Sequence, residues 1–259
     1  MQLELTGMWK PMAIVSIINQ KGGVAKTTTS INVAASWASI GKRILLIDLD
    51  PQSSATKAIF GDREFDYTIY DVICNRKSAD EVVIHSKSFG IDVIPAEILL
   101  SGVDIELAAQ YGREQIIRKK LQTIKTKYDS IIFDCSPSLG LLTVNALMAS
   151  DDIIIPICPE YFSMKGIELI IDTLKNLRTG LGHDVKIRGI VITRFKNRKI
   201  VNEVIEEVRK TYGVRVFSSY IPDNIAVEEA HHHHVPVNRY APKSKASEAY
   251  MSLSREIWQ

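Results

Sequence analysis

The residues best suited to chemistry begin in the stretch 14–29, IVSIINQKGGVAKTTT. An apolar run leads into adjacent Gly22 and Gly23, then Val24, Ala25, Lys26, Thr27 and Thr28, then a helical pattern. Strand, glycine loop and helix start, in that order, bring backbone N–H groups and a helix N-terminus onto a phosphate chain. The glycines let the backbone approach the anion closely. Lys26 would reach the β- and γ-phosphates, and the Thr27 hydroxyl would coordinate Mg²⁺. The general phosphate-loop pattern G-x-x-x-x-G-K-[ST] is missed at both glycine positions, which hold Gln20 and Ala25. The competing reading is a glycine turn before a helix with an incidental lysine.

Two further apolar runs close on acids. Residues 44–52, ILLIDLDPQ, carry Asp48 and Asp50. Strand alternation points both to one side, at the C-terminal end where open α/β sheets bind ligands. Asp-Pro also starts ordinary turns, so a plain strand-to-turn junction remains open. Residues 128–134, YDSIIFD, end on Asp134, which beside a phosphate loop would hold Mg²⁺ through water. Cys135 reads as a packed strand-end thiol, since nothing near it in sequence lowers its pKa.

Two charged or polar clusters stand apart. Arg194, Lys196, Arg198 and Lys199 crowd one turn, as a solvated charged turn or as a phosphate-contacting patch. Residues 231–234 hold four of the six histidines, and consecutive imidazoles cannot all face one ion. A solvated loop is the expectation there.

These groups need a scaffold. Short runs rich in β-branched residues at 13–18, 43–47, 91–94, 130–133, 153–157 and 187–192 do not alternate strictly, as befits strands covered on both faces. Helical spacing predicts helices over 27–40, 103–126, 139–149, 164–178, 199–212 and 244–258. The alternation predicts one α/β domain over residues 13–259, a mostly parallel sheet with helices on both faces. Residues 1–12 fit no element and are expected to form a loose extension.

Composition narrows the function classes. With 32 basic and 30 acidic residues the net charge is +2, which excludes a wholly basic nucleic-acid scaffold but not a local patch. The longest apolar run, 139–149, falls short of the roughly 20 residues a membrane span needs. No secretory signal is recognisable at the start. Three cysteines without C-x-x-C spacing argue against a disulfide framework or cluster site, and fit a reducing, cytoplasmic setting.

The segment Lys21-Gly22-Gly23-Val24-Ala25-Lys26-Thr27 resembles the deviant Walker A loop, KGGxGKT, of the ParA/MinD superfamily of P-loop ATPases, with Ala25 in place of a glycine. Residues 48–52 resemble its DxDPQ segment, and Cys135-Ser136-Pro137-Ser138 its DxPPS switch, with Ser136 replacing a proline. Residues 92–103 look like its IPAN…LAG region. Pro159, Glu160, Tyr161 and Phe162 with Gly166 match CEYxxLEG in part, and residues 221–224 and 242–245 resemble IPxN and DPKSK. The likeness spans about 13–257, and the subgroup it most resembles is ParA/Soj.

That resemblance implies a P-loop NTPase fold with ATP and Mg²⁺ as cofactors. It implies that Lys21 crosses a dimer interface to the partner's nucleotide. Asp50 would orient or activate the attacking water, and Asp48 would support the metal and water network. Pro222 and Asn224 would lie near the adenine. Arg198 falls where related partition ATPases carry a DNA-contacting arginine, although Asp223 and Ala226 depart from an often arginine-bearing segment. The implied function is a switch ATPase for chromosome or plasmid partition. It would form a homodimer with ATP, bind DNA nonspecifically on the nucleoid, and be stimulated by a ParB-like protein. The alternative is a MinD-type membrane-associated ATPase, which needs a basic amphipathic tail. The stretch 248–259 carries one basic residue beside Glu256, so a packing helix without stable membrane insertion is expected.

Overall fold

The computed structural model describes residues 13–159, 164–196 and 198–258, with the Arg198 side chain excepted. The extension at 1–12 and the Glu160, Tyr161 and Phe162 of the partial motif lie outside them. In chain order the main elements are β1 (Ala13–Ile17), α1 (Lys26–Ser39), β2 (Ile44–Leu49), α2 (Ser54–Phe60), α3 (Ile69–Ile73), α4 (Ala79–Val82), β3 (Ile84–Ser86) and β4 (Ile91–Ile94). There follow α5 (Val103–Glu106), α6 (Ile116–Lys120), β5 (Ser130–Cys135), α7 (Leu141–Ala149), β6 (Asp152–Ile157), α8 (Met164–Leu181), β7 (Lys186–Ile192), α9 (Arg198–Tyr212), α10 (Ile225–His232), α11 (Val237–Tyr240) and α12 (Lys245–Trp258).

The strands form one seven-stranded sheet in the order β3-β4-β2-β5-β1-β6-β7. All neighbours pair in parallel except β3, which runs antiparallel to β4 at the edge. The strands lack alternation because both faces are covered. Leu45, Ile47 and Leu49 of β2 enter one apolar layer, with α3, α7 and α8, while Ile44 and Leu46 enter the other, with α1 and α12. Burying each such side chain is worth about 1.5–3 kcal/mol. α12 packs along α1: the Trp37 indole donates to the Ser254 carbonyl (2.8 Å), and Trp258 meets Trp37 edge-on at 5.2 Å. Trp258 is thus engaged within the fold. Among the described residues no helix is long and apolar enough to cross a membrane.

The predicted helix at 103–126 is a series of short pieces: α5, α6 and 3₁₀ turns at Arg113–Gln115, Leu121–Thr123 and Lys125–Lys127. Its apolar spacing marked residues that do become buried, including Val103, Leu107, Ile116, Ile117 and Leu121. Between Leu107 and Ile116, however, no residue is buried, and Gly112 takes φ 67°, which stops a helix. Helices α2, α3, α4, α10 and α11 and strand β3 had no sequence-based counterpart, because each is short.

The parallel order gathers the C-terminal ends of β1, β2 and β5 side by side. β1 pairs with β5 so that Ile17 faces Asp134, and β2 pairs with β5 so that Asp48 faces Asp134. The three chemistry-bearing segments of the sequence therefore meet at one edge.

Candidate active site

The loop after β1 ends on Ala25, which caps α1 in the left-handed conformation (φ 60°, ψ 36°) without a side-chain cap bond. The first amides of this 14-residue helix are therefore left to an incoming anion. Gly23 also takes a positive φ, 75°, and a Cβ at Gly22 or Gly23 would meet nothing within 4 Å, so their open side is clear for a ligand. Lys26 is buried, and its Nζ donates to the Lys21 carbonyl at 3.1 Å, folding the loop over itself. Burial holds the Lys26 ammonium below its ordinary pKa, opposed by the charges of Asp134 and Asp50. The Lys21 side chain is exposed.

Alanine in a left-handed conformation carries strain that glycine lacks. Ala25→Gly should therefore raise stability by up to about 1 kcal/mol, the relief being partly offset by the greater freedom of glycine in the unfolded chain. Urea unfolding without nucleotide checks this, and a lower midpoint would show that the Ala25 methyl contributes packing instead.

Behind the loop lies a buried carboxylate pair. Asp134 Oδ1 accepts from the Ser30 hydroxyl at 2.8 Å, while Oδ2 is buried with no partner among the described residues. Asp48 Oδ1 accepts from the Asp50 amide (3.0 Å), and Oδ2 from the amide (2.9 Å) and hydroxyl (2.8 Å) of Thr56. Burial pushes both carboxyls above the usual carboxylate range, and Asp48 pushes Asp134 further. The Thr56 and Asp50 donors pull Asp48 back, as Thr27 and Ser30 do Asp134. A cation beside this pair would restore its ionised form. The orphaned Oδ2, on a carboxyl that also interacts with Thr27, fits Mg²⁺ chemistry.

A cavity of about 430 Å³ opens in front. It is walled by the loop residues Gly22, Gly23, Ala25, Lys26, Thr27 and Thr28, by Asp50 and Arg194, and by Pro222, Asn224, Val227, Glu228 and His231. Pro222 is placed by an isolated parallel bridge to Phe195, just beyond β7, and Asn224 caps α10 by accepting from the Ala226 amide at 3.0 Å. Lys21, Val24, Asp48 and Asp134 do not wall the cavity: Lys21 and Val24 line a neighbouring one, and the two acids are buried.

Of the four basic residues in the turn, Arg194 walls this cavity. Its Nη1 donates to the Gly23 carbonyl (3.3 Å), and its Nε lies 3.6 Å from Asp223, which also meets Lys196 Nζ at 3.5 Å. Lys199 is exposed on α9, and the Arg198 side chain lies outside the described residues. The Cys135 thiol is buried, and burial pushes its pKa up, so it is a packing group. Residues that sequence reasoning missed are Ser30, Thr56 and Glu228, and His231, expected in a solvated loop, instead lies in α10 and walls the cavity. The first two have no local signal. The last two could have been found from the i, i+4, i+7 spacing that follows Asn224.

A phosphate loop at the C-terminal edge of a parallel sheet, backed by a buried acid pair and opening on a nucleotide-sized cavity, defines a P-loop nucleotide-binding protein. Residues 12–187 match the family described as "AAA domain". The chain is 39% identical over 246 residues to the sporulation initiation inhibitor protein Soj of Bacillus subtilis strain 168, covering 94% of this chain and 97% of that one. It is 40% identical over 246 residues to the chromosome partitioning protein ParA of Myxococcus xanthus, covering 94% and 87%. A cobyrinic acid a,c-diamide synthase from Mycobacterium smegmatis, crystallised with an ATP analogue and magnesium, superposes with a TM-score of 0.84 at 29% identity, covering 94% and 92%. The chain belongs to the ParA/Soj family of P-loop ATPases.

Proposed function

We infer that this chain is an ATP-driven dimerising switch of DNA partition, which hydrolyses ATP to ADP and phosphate. The observation that carries this is the loop itself: Lys26 is buried at the cavity, while Lys21, joined to it through its own carbonyl, keeps an exposed side chain. On this reading Lys26 serves the phosphates of its own site, and Lys21 those of a facing copy. The ATP analogue and magnesium in the structural neighbour, and partition in the name of the Myxococcus relative, support the same reading.

In this mechanism the loop amides and Lys26 bind the triphosphate and stabilise the charge that develops during transfer. Thr27 and Asp134 would hold Mg²⁺, which would supply charge neutralisation to the phosphates. Asp48 fixes the Asp50 amide, and Asp50 orients the attacking water at the cavity. Pro222 and Asn224 would lie near the nucleoside. ATP binding lets two copies pair, and hydrolysis separates them. A ParB-like partner accelerates that step.

Pairing also joins two modest basic surfaces, which raises avidity for DNA without new contacts. The protein would then reside on the nucleoid while ATP-bound. Arg198 and Lys199 at the start of α9 are assigned the phosphate contacts, with Lys196 and Arg194 moderated by Asp223. Sedimentation with random-sequence DNA tests the proposal. DNA should co-sediment with ATP and not with ADP, and log affinity should fall with log salt at a slope of about −0.9 per phosphate neutralised. Arg198→Glu together with Lys199→Glu should abolish binding yet keep the ATP dimer. Unchanged binding by that variant, or a wild-type ATP dimer that ignores DNA at low salt, would overturn the DNA assignment. Binding to liposomes instead would favour the membrane-associated alternative.

A further inference from the structure

The turn that carries Asp50 is clamped at both ends by one carboxylate. Asp48 Oδ1 accepts from the Asp50 amide at 3.0 Å, where the chain leaves β2. Asp48 Oδ2 accepts from the amide (2.9 Å) and hydroxyl (2.8 Å) of Thr56, in the first turn of α2. Between these points the Ser53 amide donates to the Asp50 carbonyl at 2.8 Å, which closes the turn. Ser53 caps α2 without a side-chain cap bond, so Asp48 takes over the role of a cap by engaging the Thr56 amide.

The Thr56 hydroxyl is the junction of this clamp. A hydroxyl has one proton to donate and two lone pairs to fill. The Ala96 amide, just past the end of β4, donates to Thr56 Oγ1 at 2.9 Å and occupies one lone pair. The hydroxyl proton is thereby left for Asp48. Thr56 and Asp48 are buried, at 4% and 0% exposure, so water does not compete for either. Hydrogen bonds in such a chain polarise one another, and each member is satisfied in one orientation. Of Asp48, Asp50, Thr56 and Ala96, Asp50 alone walls the cavity beside the phosphate loop. Any influence of Thr56 on the reaction must therefore pass through its neighbours.

Resting on the ATPase reading above, we propose that Thr56 is a positioning residue for hydrolysis, its hydroxyl fixing the Asp48 carboxylate, and with it the Asp50 turn, against the end of β4. The test pairs steady-state ATP hydrolysis by the full chain with calorimetric titration by Mg²⁺ and a nonhydrolysable ATP analogue. Thr56→Val keeps the shape of the side chain and the amide bond to Asp48 but deletes the hydroxyl. Because a displacement of about 1 Å can cost about 100-fold, it should lower turnover about 10- to 100-fold and leave analogue affinity within about twofold of wild type. Thr56→Ala reads the same loss without setting a methyl group against the buried carboxylate, and thermal unfolding checks that each variant is folded. Thr56→Ser returns the hydroxyl and should recover most of the turnover. The order of the variants separates positioning from packing: a packing role would favour valine, which keeps the volume, over serine, which does not. Wild-type turnover in the folded valine or alanine variant overturns the proposal. So do matched losses of affinity and rate, or a serine variant no more active than the valine one, and all three leave the phosphate loop intact. A wild-type protein that neither binds the analogue nor hydrolyses ATP overturns the ATPase reading itself.

Discussion

Lys26→Ala is expected to eliminate ATP turnover. The ammonium is buried beside the loop that walls the cavity, close enough to feel both Asp134 and Asp50. On the proposed function it is a charge-assisted donor whose contact with the transferring phosphoryl group would strengthen in the transition state. Removing one such donor costs about 100- to 1,000-fold in rate. The substitution also deletes the bond from Nζ to the Lys21 carbonyl, so the loop should lose order and ATP affinity should fall with the rate. Lys26 makes no contribution to the two apolar layers, and thermal unfolding should remain cooperative. Phosphate release and ATP titration on the folded variant check this. Wild-type affinity and turnover would remove the phosphate loop from the mechanism.

Asp50→Ala should separate binding from hydrolysis. Asp50 walls the cavity, while its backbone amide is fixed by Asp48 and its Oδ1 accepts from the Gln52 amide at 2.9 Å. The side chain can be removed without disturbing Asp48, which is held independently by Thr56. Loss of a group that orients or deprotonates water costs about 100- to 10,000-fold. The variant should therefore bind ATP as wild type does and accumulate as a stalled dimer in light scattering. Lys21→Ala makes the contrast, since it should bind ATP and remain monomeric. If Asp50→Ala hydrolyses ATP at the wild-type rate, the water belongs to another residue. If Lys21→Ala dimerises normally, the exchange of lysines between copies does not operate.

Much of this site was legible because its chemistry is local. The glycines, Lys26 and Thr27 lie within one loop, and backbone conformation plus helix polarity suffice to read a phosphate subsite there. Asp48, Asp50 and Asp134 lie at or just past the C-terminal ends of β2 and β5, as the strand-end rule expects, but alternation did not foretell that Asp48 and Asp134 are buried while Asp50 walls the cavity. The 103–126 segment shows where that reasoning fails. Its apolar spacing reported burial faithfully, but a single left-handed glycine and an exposed run broke the helix the spacing implied.

The sequence by itself determined the layered α/β class, the succession of every strand but the short edge strand β3, and the glycine loop between β1 and α1, because these follow from residue periodicity and short-range backbone geometry. Only the tertiary structure decided how the parts are wired. Ser30 reaches Asp134 across 104 residues, and Ala96 donates to the Thr56 hydroxyl that holds Asp48. Arg194, read as part of a basic turn, swings to the Gly23 carbonyl 171 residues away and walls the cavity. Short α10 brings His231 into the wall of the same cavity and leaves its neighbouring histidines out of it. Each of these depends on parallel register and on which helix covers which strand end, and such long-range pairings leave no periodic trace in the chain.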